Sequence, residues 1–518
     1  MSRRRTAIPR RARLAAGIGI AALVGFAFIG RAVLSADDGA EMMSDTLGFL
    51  VQGRFESASL LPTSPDPFLP PPPPFRSRYG IAPSLLLLPF AGAAWAFREV
   101  LGAAGADAVA STAWATGAVL ASLAFLRLAR ALRPDSSPLW APAFLGGTFL
   151  WPYAADSYVE PWAAAALGLS ASVLLAEPRA GPVRSSLAIS FTAVLAFWLR
   201  PVAWVLAPVF VLAALIRWRE REDATRRAAW LLAGLCAGLA SALALNRALH
   251  GSAFDFGHGF TDEVPFVHGP LLALVRTFLL PGRGVVFYAP IVVAALFAAR
   301  RLPVAARVLC IGAPVVLVAV TARWFVWHGG TCWGPRFLIP ALPLLVAPAV
   351  LAPGRVSRAL LAAGFLVNLP GVLVAPGAWQ SYAERLAPPP ESTWPRAGGD
   401  RVSEIVEMSP LYGHVWLLAG MAAPGRLPAP WLRGEARETT RRPTAAEAVS
   451  PWIVRRMLGL PPVSPFLPRL LIRAAAGYLG RGRPGQAGLF AEAALELDPG
   501  SRDAIQLLRA SREAGPGR

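Results

Sequence analysis

Lysine is missing from this 518-residue chain, so arginine supplies all 50 basic side chains. That bias reads as codon usage in a GC-rich genome rather than as a chemical requirement. Charge of either sign is scarce, at 16% of residues, where a soluble globular protein carries about 25%. The deficit excludes a chain built from two or three ordinary soluble domains. Cysteine occurs three times, at 236, 310 and 332, too few and too scattered for a disulfide framework or a zinc site. Two of the three lie in apolar runs and are predicted to be buried, inert thiols.

What is abundant is apolar. The chain is 55% hydrophobic, and these residues fall in blocks of roughly 17–25, the length that crosses a bilayer as helix. A net charge of +19 would suggest nucleic acid in a soluble protein. Here the arginines form short clusters between apolar blocks, the pattern that retains loops on the cytoplasmic face, so no nucleic-acid partner is predicted. Arg3, Arg4, Arg5, Arg10, Arg11 and Arg13 precede an apolar run to Leu34. That run is long for a signal peptide, and Leu34 spoils a small-x-small site ending at Ala36, so a retained first span is predicted.

Threaded by its arginines, the chain starts inside and crosses near 12–34. Arg127, Arg130 and Arg133 mark the next inner end. Two apolar stretches precede them, 81–97 and 104–126, and both cannot cross without putting those arginines outside. The stretch 81–97 is therefore expected to lie along the interface or to be re-entrant. Further spans are expected near 139–153, 161–176, 185–199, 202–216, 229–248, 285–299, 307–323, 337–352 and 359–375, roughly eleven crossings in all. Pro201 suits the outer break after Arg200 because it cannot continue a helical ladder. Arg217 to Arg227 is the strongest inner loop. The expected fold is all-α: a polytopic transmembrane bundle over 1–380, an extracytoplasmic linker over 381–465 and a helical tail over 466–518.

This topology sends all five histidines (His250, His258, His268, His328 and His414) outside, together with Asp37, Asp38, Glu41, Asp45, Asp156, Glu160, Asp255, Asp262 and Glu263. Acid–base capacity is thus polarised to one face. Three outer segments carry most of it. The first loop opens SADDGAEMM and passes through the prolines at 70–74, a stiff spacer, to RSRYGIAPSLLLLPF. The second is FLLPGRGVVFYAP, with Arg283 between two glycines that permit close backbone approach. The third is RWFVWHGGTCWGPRFLIPALPLL, where Arg336 enters an apolar span. An arginine there is costly at depth and marks a site or an ion pair unless it reaches the interface. No ligand spacing specifies a metal site, although the outer acids and histidines leave a divalent ion possible.

Five stretches in order, DDGAEMM at 37–43, SRYGIAPSLLLLPF at 77–90, WPYAADSYVEPWAAA at 151–165, PGRGVVFYAP at 281–290 and WHGGTCWGPRFLIPALP at 327–343, resemble bacterial membrane glycosyltransferases of the C-type (GT-C) superfamily. Within it they are most similar to the phospholipid carrier-dependent branch related to protein O-mannosyltransferases (glycosyltransferase family 39). The resemblance covers roughly 10–380. It implies transfer of a sugar from a polyprenyl-phosphate donor to a glycan, lipid or protein acceptor outside the cytoplasmic membrane of a bacterium, with inversion. It also implies a general base in the first outer loop, Asp38 or its neighbour Asp37; many relatives have Asp-Glu where this chain has two aspartates. Arg336, Arg283 and Arg78, with Tyr79 beside it, become candidates for the donor phosphate. His328 and Glu160 become candidates for orienting the sugar or the base. A transporter or flippase for lipid-linked sugars and a non-enzymatic envelope scaffold are the rival classes; a transporter should show internal repeats, and none is convincing.

From about 468 the composition changes. Tyr478, Ala487, Ala491, Ala494 and Pro499 fall at the offsets of one tetratricopeptide (TPR) repeat, with Leu471 at the usual tryptophan position. A lone repeat buries its face poorly, which points to a second copy, the preceding helices or a protein partner.

Overall fold

The computed structural model describes residues 10–29, 42, 46, 81–156, 158–176, 181–254, 270–280, 282–323, 329, 332–373, 409–411, 413–415, 467–480 and 484–514. Among these residues every regular element is helical. Seven helical segments are long and apolar enough to cross a membrane: Ala82–Leu101, Ala108–Leu132, Pro182–Leu199, Pro201–Trp218, Ala224–Ala248, Val304–Thr321 and Gly354–Leu373. The remaining apolar stretches are also helical, but several are shorter or broken. The stretch near 337–352 is a 3-10 turn, Arg336–Ala341, a short α-helix, Leu342–Val346, and a second 3-10 turn, Ala347–Leu351. Pro340, Pro343 and Pro348 recur through it and deny it an unbroken hydrogen-bond ladder. The Val304–Thr321 segment contains a π turn at Val308–Gly312. The chain divides into two compact units.

The first unit comprises Met1–Pro270, Ala289–Trp324 and Phe337–Asn368. The stretches 81–97 and 104–126 belong to one continuous helical run, Ile81–Leu132. That run cannot be straight. The indole of Trp162 stands edge-on to Phe90 at 6.2 Å between ring centroids and donates to the carbonyl of Ala113 at 3.1 Å. Along a straight helix, residues 90 and 113 would lie about 35 Å apart. The run therefore folds back between them, and Gly102 and Gly105 fall in the intervening turns, where glycine tolerates a kink. The first stretch thus returns against the second; expected to lie along the interface or to be re-entrant, it forms a helix, Ala82–Leu101, long and apolar enough to cross.

The Ile81–Leu132 run packs on Glu160–Leu175, which packs on Pro182–Leu199, which packs on Ala224–His250. Small residues permit these close crossings, as is usual where helices associate without a water-driven force. A Cβ on Gly117 would stand 2.7 Å from the Trp162 ring, and one on Gly238 would stand 2.3 Å from Val194. The first helix, Arg10–Ile29, is held by Trp151, whose Nε1 donates to the carbonyl of Leu23 at 2.9 Å and whose ring stacks on Phe365 at 4.8 Å. Cys310 is buried as expected, but Cys236 is exposed on the Ala224–His250 helix. Apolar sequence is equally compatible with a packed face and a lipid-facing one, so hydropathy alone could not assign it.

The second unit comprises Leu271–Tyr288, Phe325–Arg336 and Leu369–Arg518. Its C-terminal part is a helical hairpin, Leu467–Gly480 and Pro484–Leu497, followed by Arg502–Glu513. Leu471, Ala475, Ala487, Ala491 and Ala494 are buried. The rings of Tyr478 and Phe490 stack at 5.2 Å. Gly488 lets the third helix approach, since a Cβ there would lie 2.9 Å from the Ser511 hydroxyl. Ser501 caps that helix, accepting from the Ala504 amide, the usual service of a serine at this position.

Candidate functional site

Two arrangements of buried charge stand out, one in each unit. In the first unit the Glu160–Leu175 helix begins on Glu160, with Pro161 in its first turn. A carboxylate there meets the positive end of the helix dipole, and proline loses no hydrogen bond at that position. Glu160 is completely buried and pairs with Arg200, Oε1 to Nη2 at 2.8 Å. Arg200 reaches it because the preceding helix stops at Leu199 and Pro201 begins a 3-10 turn, leaving Arg200 extended at φ −140°, ψ 94°. Its guanidinium also lies over the Phe337 ring at 5.3 Å. Asp156 is buried four residues before Glu160, and the rings of Tyr153 and Tyr158 meet at 5.4 Å.

Met42 packs beside this region. That side chain is fully buried in a cluster with Leu87, Ala91, Ala94, Ala110, Ala113, Trp114 and Val159. Thr46 donates to the Met42 carbonyl at 2.7 Å and approaches the Ser84 carbonyl at 3.4 Å. Met42 is thereby anchored on the folded-back run and beside Val159, the residue before Glu160.

In the second unit the PGRG and CWGPR segments close on each other. Arg283 is almost wholly buried, and its Nη1 donates to the carbonyls of Cys332 and of Gly334, the latter at 3.3 Å, with Cys332 Sγ also at 3.3 Å. Arg336 is buried and donates from Nη1 to the carbonyl of Gly329 at 3.3 Å. The loop can wrap this way because Gly329 and Gly334 adopt left-handed φ of 78° and 65°, a region that costs other residues about 1–2 kcal/mol. Space is short as well: a Cβ on Gly329 would lie 3.1 Å from both Arg336 Cβ and Cys332 Sγ, and one on Gly334 3.0 Å from the Tyr288 ring. Tyr288 donates to the Gly282 carbonyl at 2.8 Å and stands edge-on to Trp333 at 5.3 Å. Trp333 in turn meets His414 at 4.7 Å, and His414 Nδ1 lies 2.8 Å from the Pro410 carbonyl. The carbonyls of one loop thus fix the planes of two guanidinium forks, the group best matched to a phosphate.

Of the candidate base, phosphate and sugar residues, Glu160, Arg283 and Arg336 are described, and the structure brings Arg283 and Arg336 to the same glycine-turned loop. Asp37, Asp38, Arg78, Tyr79 and His328 lie outside the described residues, as do His258, His268, Asp255, Asp262 and Glu263. Among the described residues no group of three His, Cys, Asp or Glu side chains is placed to hold a metal ion. Sequence reasoning missed Arg200, which it treated only as the edge of a turn. It also counted Cys332 only as a thiol, although its carbonyl and sulfur contact Arg283. An arginine before a helix-breaking proline, in a chain with Asp156 and Glu160 in another expected outer turn, was the available signal for Arg200.

Compared with known protein families, the sequence matches no family model. No curated protein matches it either. Among solved structures it is similar to ArnT from Cupriavidus metallidurans in the apo state, at 13% identity and a TM-score of 0.47, over 96% of this chain and 76% of that one. Agreement at that level transfers neither a residue nor a role.

Proposed function

We propose that this chain is a membrane glycosyltransferase of the GT-C type that moves a sugar from a polyprenyl-phosphate carrier to an acceptor on the extracytoplasmic face. The observation that carries the reading is the meeting of PGRGVVFYAP with CWGPR. Two segments that resemble the superfamily, about fifty residues apart, share one loop cluster with two buried guanidinium groups. The burial of Met42, within DDGAEMM, against Val159 supports it further, as does a set of helices long and apolar enough to cross a membrane.

In this reading the first-loop carboxylate, Asp38 or Asp37, takes the proton of an acceptor hydroxyl as that oxygen attacks the anomeric carbon. The bond between that carbon and the carrier phosphate oxygen breaks, the phosphate leaves with the electron pair, and attack from the opposite face inverts the centre. Charge growing on the leaving phosphate calls for fixed cations, a role assigned to Arg336, Arg283 and Arg78, with Tyr79 and His328 at the sugar. Glu160, held by Arg200, supports the first-loop base rather than acting as one. The site belongs to the outer face of a bacterial inner membrane, with the N-terminus inside. The Leu467–Leu497 hairpin is read as one tetratricopeptide-like repeat that docks a protein partner.

The test is incubation of the reconstituted protein with labelled polyprenyl-phosphate sugars. Transfer or hydrolysis supports the reading, whereas carrier movement without cleavage, or no reaction with any donor, rejects it. Asp38→Asn should abolish transfer while leaving membrane insertion intact, and full activity in that variant would move the base to Asp37 or refute the mechanism.

A further inference from the structure

The opposite end of several helices in the first unit gathers positive charge that the proposed chemistry does not use. The segments 127–136, 299–307 and 350–358 carry eight arginines, at 127, 130, 133, 300, 301, 307, 355 and 358, against one carboxylate, Asp135. Side-chain hydrogen bonds tie the three segments into one surface. Arg133 donates to the Val350 carbonyl at 3.1 Å and Arg301 to the Leu351 carbonyl at 2.8 Å. Arg307 donates to the carbonyls of Arg300 and Leu302 at 3.0 and 3.1 Å, and Ser357 to that of Ala349 at 3.2 Å. Arg133 engages Asp135 at 3.0 Å, which leaves the patch strongly cationic.

Retention of cytoplasmic loops needs arginines anywhere in those loops; it does not need three helix ends laced together around one turn. A second feature identifies the ligand. Arg300 lies over the Phe297 ring at 5.3 Å, and Phe297, Leu296, Val304 and Val356, in or beside these segments, are large apolar side chains left exposed. Cationic forks above an exposed apolar strip fit a headgroup phosphate with acyl chains below it, and a free phosphate has no use for the strip. Basic recesses between helices are where anionic lipid headgroups bind.

We infer that the surface formed by Arg300, Arg307, Arg355 and the carbonyl-tied Arg133 and Arg301 is a binding site for an anionic glycerophospholipid, independent of the sugar-transfer site. Native mass spectrometry of the full chain, presented with equimolar phosphatidylglycerol and phosphatidylcholine, reads the preference directly. The variant Arg300→Gln/Arg355→Gln removes two exposed guanidinium groups that tie no other segment. It should lose roughly thirtyfold in selectivity for phosphatidylglycerol, the factor for two arginines near a membrane surface. Melting in phosphatidylcholine checks that the variant folds, and Arg355→Gln alone, with roughly a fivefold loss, serves if the pair does not. Equal retention of the two lipids, unchanged selectivity in the variants, or inorganic phosphate displacing the lipid completely would each overturn the assignment.

Discussion

Arg200 and Arg283 are both buried arginines, and they are held by different kinds of acceptor. Arg200 meets a carboxylate at 2.8 Å inside the first unit. Arg283 donates to main-chain carbonyls of a loop in the second unit, with Arg336 bound in the same manner nearby. An ion pair is weakened by losing either charged side chain. A guanidinium that donates to carbonyls depends also on the path of the backbone, and hence on glycines that carry no charge. The first should therefore break when a side chain is removed, and the second when a glycine is replaced.

The largest effect is expected at the pair. Arg200→Ala removes the guanidinium that pairs with a fully buried Glu160, and removing one partner of a buried pair costs about 3–5 kcal/mol. The melting temperature in detergent should fall sharply. The double variant Glu160→Gln/Arg200→Met, which removes both charges, should melt above Arg200→Ala. If Arg200→Ala melts like the parent, the ion pair does not hold this region together.

At the loop the sensitive positions are glycines. Gly329→Ala and Gly334→Ala each force a left-handed residue, at about 1–2 kcal/mol, and crowd Cys332, Arg336 or Tyr288. The expected melting loss is smaller than at the pair, while donor binding, read as retention of a labelled polyprenyl-phosphate sugar, should suffer more. Equal melting losses at Arg200 and at Gly334, with binding intact, would erase the distinction between the two sites.

How much of this was legible before folding follows the same division. The glycines around Arg283 announced close backbone approach, and a Cβ on Gly284 would lie 2.5 Å from the Leu280 carbonyl oxygen, whereas the left-handed turns at Gly329 and Gly334 were not foreseen. The break at Arg200-Pro201 was legible from proline chemistry, but its pairing with Glu160 was not. Forty residues separate the two, and apolar periodicity does not say which helix faces which. The fold-back of Ile81–Leu132 was legible only in part, since a re-entrant stretch was one of two expectations. Two apolar stretches joined by Gly102 and Gly105 read as separate segments, and only the shared indole of Trp162, reached from Phe90 and from Ala113, reveals that they meet.

Within the loop a milder change separates hydrogen bonding from packing. Tyr288→Phe keeps the ring against Trp333 and deletes the bond to Gly282. A typical net loss is about 0.5–1.5 kcal/mol. The melting temperature should drop less than for Gly334→Ala, and a larger drop would mean that the hydroxyl, rather than the glycine, shapes the turn.

The smallest effect belongs to an ion pair that resembles Glu160–Arg200 in composition but not in burial. Asp223 and Arg227 meet at 2.7 Å across one turn, with Arg227 also donating to the Ser185 hydroxyl. The hydrogen bond from Arg227 holds the Asp223 carboxyl below its ordinary range. A carboxyl with a depressed folded-state pKa stabilises the fold above its unfolded value, about 3.9, and that contribution vanishes as pH falls through the lower folded value. Asp223→Asn should therefore melt slightly below the parent at neutral pH, and the gap should close below about pH 4. Because Asp223 is one-third exposed, added salt should shrink the gap at neutral pH as well. The same salt should leave the Arg200→Ala deficit nearly unchanged, since that pair is shielded from counterions. A salt response of equal size at both sites would show that burial does not separate them.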